Sequence, residues 1–102
     1  MRKIINGRMY DTETAEFIES YWNGLGERDF NHYEESLYKK KTGEFFLYGE
    51  GGGLSRYAHA CAGGGYRSGS GIVPLSLDAA KRWGERHLTV SEYEDVFGAV
   101  DE

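Results

Sequence analysis

Nine of the chain's fifteen glycines fall between Gly49 and Gly71. Glycine loses more conformational freedom on folding than any other residue, so such a stretch is costly to order and adds little side-chain area to a core. The core must come from the segments on either side. A chain of 102 residues suffices for one small globular domain and not for two. The expectation is a single domain over 1–102 with a flexible glycine-rich loop at 49–71. Leu54 to Ala60 would form one short helical or extended piece inside that loop.

Little else can staple the fold. Cys61 is the only cysteine, so neither an internal disulfide nor a Cys-rich zinc cluster can form. His32, His59 and His87 are scattered without HxxxH or CxxH spacing, and no metal or other cofactor is expected. Aromatic residues, 15% of the chain, must supply the core instead, since each can bury roughly 150–250 Å².

Local patterns predict an α+β fold. Asn6-Gly7 between Lys3-Ile4-Ile5 and Arg8-Met9-Tyr10 has the form of a type I′ hairpin turn. Asp11 or Thr12 can then cap a helix running to about Trp22, with Ala15, Ile18 and Trp22 on its inner face and Glu13, Glu16 and Glu19 opposite. Tyr33 to Lys39, a Lys40-Lys41-Thr42-Gly43 turn and Glu44 to Tyr48 predict a central aromatic hairpin. Gly71 to Leu75 predicts a short strand whose Pro74 suits a sheet edge. Ser76 starts a second helix with Leu77, Ala80, Trp83, Gly84 and His87 at helical spacing. Ser91-Glu92-Tyr93-Glu94 predicts a capping box for a third, with Tyr93, Val96 and Phe97 inward and Gly98 at its end. The expected architecture is thus a small antiparallel sheet, built from an N-terminal hairpin strand, the central aromatic hairpin and one further strand, packed by about three helices.

Charge narrows the functional classes. The net charge is -5, concentrated in two blocks: Tyr10 to Asp29 carries six acids against one base, and Pro74 to Glu102 seven against three. A protein that wraps nucleic acid needs a concentrated Lys/Arg face, which is lacking. Acidic helical surfaces favour a basic partner instead. No apolar run approaches the roughly 20 residues of a membrane helix, and a soluble, cytoplasmic protein is expected.

Catalytic patterns are weak. The Gly49 to Gly53 run lacks a P-loop ending, and Glu50 would repel phosphate. Cys61 and His59 lie close in sequence, but a glycine-rich loop would not hold a nucleophile and base in register. The segment from Leu75 to Phe97 has the outline of a DNA-reading helix pair, yet its second helix presents Glu92, Glu94 and Asp95 where base readers carry Arg, Lys, Asn or Gln. No enzymatic activity is expected.

Several stretches taken in order carry a family resemblance: Lys3-Ile4-Ile5-Asn6-Gly7-Arg8-Met9-Tyr10-Asp11-Thr12-Glu13-Thr14-Ala15, Ser36-Leu37-Tyr38-Lys39, Thr42-Gly43-Glu44-Phe45-Phe46-Leu47-Tyr48-Gly49, and Ile72-Val73-Pro74-Leu75-Ser76 before a helix containing Trp83. Across nearly its whole length the chain resembles small proteins carried by bacteriophages and conjugative elements of Gram-positive bacteria. Proteins of that kind include, or sit beside, anti-CRISPR proteins. The resemblance implies a non-catalytic inhibitor that evades host defence by binding a CRISPR effector nuclease such as Cas9, or its guide complex, in the bacterial cytoplasm. It assigns no contact residues.

Charge suggests them. Glu13, Glu16 and Glu19, with Glu92, Glu94 and Asp95, would stand where phosphates lie in a basic channel, as a nucleic-acid mimic, while Tyr57 and Arg67 anchor the contact. The alternative is a nucleic-acid-binding accessory protein using Lys39, Lys40 and Lys41 beside the aromatic hairpin.

Overall fold

A computed structural model describes residues 1–102. The order is β1 (Arg2–Ile5), β2 (Arg8–Asp11), β3 (Glu16–Trp22), β4 (Tyr33–Lys39), β5 (Phe45–Gly51), β6 (His59–Ala60), β7 (Tyr66–Arg67), β8 (Gly69–Leu75), α1 (Leu77–His87) and α2 (Val90–Phe97). Strands β3, β4, β5 and β8 form an antiparallel sheet in that spatial order, while β1–β2 and β6–β7 are separate two-stranded hairpins. The architecture is α+β with antiparallel sheets and two helices.

The largest departure from expectation is Glu16–Trp22, a strand and not a helix. A register shift between Phe17 and Glu19 explains why its pattern looks helical. One extra residue in a bulge flips the parity of a strand. Ile18 and Tyr21, three apart, therefore both pack on the helix-facing core as they would on a helix. Trp22, expected inside, is 57% exposed. Three further expectations need correction. The capping box is Thr89 with Glu92 and not Ser91 with Glu94, Leu77 is exposed, and the stretch 49–71 begins and ends inside β5 and β8.

The N-terminal hairpin, expected to lend a strand to the main sheet, instead forms its own two-stranded sheet, while its turn and two other local expectations hold. Asn6 and Gly7 both have positive φ, 51° and 77°, as a type I′ turn requires. Ser76 caps α1 by accepting from the Ala79 N–H at 3.1 Å. Pro74 lies on β8, an edge of the sheet.

Both sheet faces are used. Paired residues of antiparallel strands share a face, so Leu37, Leu47 and Val73 form one cross-strand row and Tyr38, Phe46 and Pro74 another on the opposite side. The first side packs on Ala80 and Trp83 of α1, with Val96 and Phe97 of α2. On the second, Tyr10 of β2 sits edge-on to Phe46 at 5.5 Å and closes a smaller core with Ile72.

Where Glu35 pairs with Gly49, and Gly49 with Gly71, the glycines leave a recess on the helix side. The Tyr57 ring fills it so closely that a Cβ on Gly49 would collide with the ring. The Tyr57 hydroxyl donates to Glu35 Oε2 at 2.5 Å, and the Trp83 indole N–H donates to Glu35 Oε1 at 2.8 Å. A buried carboxylate thus ties β4 to the 52–58 loop and to α1.

Candidate functional site

Four of the acidic residues expected to bind a partner converge. Glu16 and Glu19 lie on β3, and Glu92 and Asp95, three apart, share one side of α2. Glu16, Glu92 and Asp95 line a groove of about 230 Å³ with Phe17, Ile18, Lys39 and Val96. The Glu19 carboxyl group lies near that of Glu92. Ile18 and Val96, both packed on the helix-side core, fix the distance between strand and helix.

Glu92 is also a structural residue. Its Oε1 accepts from the Thr89 backbone N–H at 2.8 Å, and the Thr89 hydroxyl accepts from the Glu92 N–H at 3.2 Å. The bond from the Thr89 backbone N–H is the main reason the Glu92 carboxyl lies below the usual carboxylate range. Glu92 therefore stays ionised in a crowded acidic setting.

The other expected contacts fall elsewhere. Glu13 is exposed in the turn before β3, where its N–H donates to Asp11 Oδ1 at 2.9 Å. Glu94 lines a different groove, with Tyr93, Val90 and Val100. Arg67 is exposed on the β6–β7 hairpin. Tyr57 is 4% exposed and bonded to Glu35, so it belongs to the core and is corrected as a surface anchor.

The lysine triplet diverges. Lys39 Nζ lies 5.7 Å from the centre of the Phe45 ring, whereas Lys40 pairs with Glu44 at 3.2 Å and lies over Tyr10 at 4.3 Å. Lys41 is exposed. Phe45 and Phe46 are buried, which removes them as a stacking platform for bases. His59 lies against Gly69, with Nε2 3.1 Å from the Ser70 carbonyl oxygen and its ring engaged there. No three His, Cys, Asp or Glu side chains are grouped to hold a metal ion. No helix is long and apolar enough to cross a membrane.

Sequence reasoning missed the open row formed by Trp22, Glu34, Glu50 and Ser70 on the face away from the helices. The signal was present: a hairpin turn at Lys40 to Gly43 sets the register in which Glu34 meets Glu50. Comparison with protein-family models, curated proteins and solved structures gives no match for this chain.

Proposed function

We propose that the protein is a non-catalytic inhibitor that binds a host CRISPR effector nuclease of the Cas9 kind, or its guide complex, through the acidic groove between β3 and α2. The observation that carries this reading is the meeting of Glu16 and Glu19 with Glu92 and Asp95, some seventy residues further along the chain. Carboxylates carried by two packed elements present negative charge to a basic channel with their backbone already in place. The sequence resemblance to proteins of phages and conjugative elements supplies the class of partner. The acidic surface works from a strand edge and one helix, not from two helices.

The test is a DNA-cleavage assay with the guide-loaded nuclease and increasing inhibitor. Cleavage should stop at about one inhibitor per nuclease, and added salt should weaken the effect. A Glu16→Lys, Asp95→Lys variant should lose inhibition by at least about tenfold while keeping its far-ultraviolet circular dichroism, because neither side chain is buried. Undiminished inhibition by that variant would overturn the proposed surface. Inhibition at far below equimolar amounts would point to catalysis.

A further inference from the structure

The hairpin β1–β2 covers only part of the sheet face opposite the helices. Beyond Tyr48 and Ile72, the next cross-strand row is Trp22, Glu34, Glu50 and Ser70, one residue from each strand of the sheet. This row lies in an open cleft of about 640 Å³, also lined by Leu25 and Glu27. It faces away from the groove described above.

Two features of the row call for a positive ligand. Glu34 and Glu50 are direct cross-strand partners, a placement in which like charges destabilise a sheet. The molecule's ion pairs join Arg2 to Asp11, Arg8 and Lys40 to Glu44, and Arg56 to Glu35, so none of its cations serves Glu34, Glu50 or Glu27. Trp22 stands beside them, 57% exposed, with its indole N–H donating to the Leu25 carbonyl at 2.8 Å. That bond restrains the ring while leaving its π-surface open to a cation. The carboxylates are not grouped to hold a metal ion, and a planar organic cation suits an aromatic ring flanked by acids better than a spherical one.

We propose that this uncovered end of the sheet is a docking cleft for an arginine-bearing segment of a partner protein, with the guanidinium stacked on Trp22 and bonded by Glu34 and Glu50. Charge complementarity selects the occupant: the lining contains three carboxylates against one histidine, His32, whose Nδ1 is engaged with the Asp29 carbonyl oxygen at 2.6 Å, and neither lysine nor arginine. The inference goes beyond the nuclease reading and stands without it, because its test contains no nuclease.

The probe is the blocked peptide Gly-Arg-Gly-Arg-Gly, titrated into the full chain while backbone amide resonances are followed. Saturable shifts should centre on Trp22, Glu34, Glu50 and Ser70. The same peptide with citrulline for arginine should bind at least about tenfold more weakly, as should a Glu34→Gln, Glu50→Gln variant. Neither glutamate side chain makes a hydrogen bond or ion pair within the chain, so the variant should fold, and its melting temperature should equal or exceed that of the parent. Absence of shifts in the cleft, or an equal response from the citrulline peptide or the variant, would overturn the proposal.

Discussion

At the scale of single residues, Gly49 and Gly71 make a controlled pair, facing each other across β5 and β8. A Cβ on Gly49 would strike the Tyr57 ring, whereas one on Gly71 meets nothing within 4 Å. Gly49→Ala should lower the free energy of unfolding by about 1–3 kcal/mol. Gly71→Ala should be neutral or slightly stabilising by comparison, both read from urea titrations. Tyr57 carries a second prediction. Burial first, and then its bond to Glu35, push the phenol's pKa above its ordinary value of 10.0. The unfolded chain therefore loses this proton first as pH rises. Stability from this group is intact below about pH 10 and falls above it. Tyr57→Phe should flatten that alkaline decline, at a loss of about 1–3 kcal/mol at neutral pH from the Glu35 oxygen left without its donor.

At the scale of elements, α2 depends on its first turn. Thr89→Ala removes the cap and should cost about 1 kcal/mol, seen as faster amide exchange across Val90–Phe97. Because the Glu92 carboxyl titrates below its ordinary 4.5, its contribution is present above about pH 4.5 and lost as pH falls through the lowered value, so α2 should loosen in acid. Which elements were readable from sequence follows the same local logic. The aromatic hairpin, β8, α1 and the end of α2 at Gly98 were legible because turn residues and caps act within a few positions. Strand β3 was not, since its bulge imitates a helical period and only pairing with β4 reveals the strand. For the acidic groove, residue types could be read but not the selection among them. Glu92 and Asp95 share a side of α2 while Glu94 does not, and Glu16 and Glu19 reach them only because β3 lies at the sheet edge beside α2. Tyr57 was misjudged because the recess that receives it exists only once Gly49 and Gly71 pair.

At the scale of the molecule, the three layers make a thin slab, 50 × 33 × 21 Å, with an accessible surface of 6907 Å². A compact protein of this mass exposes about 5,800 Å². Two small cores on opposite sides of one sheet hold it together, and Leu37 and Leu47 of one core are chain neighbours of Tyr38 and Phe46 of the other. The cores should therefore melt as one. Tyr10→Ala on the hairpin side and Trp83→Phe on the helix side should each shift a single transition, recorded identically by near- and far-ultraviolet circular dichroism. Separate transitions would show that the layers unfold independently. The close approaches along the sheet leave a lasting mark. At Gly49, Gly51 and Gly69 a methyl group would run into Tyr57, Ser55 and His59 respectively. Descendants of a common ancestor could exchange most of the exterior of this fold, its acids included, yet they would still keep those three bare positions. Kinship too distant for overall similarity to register would be traced by that spacing.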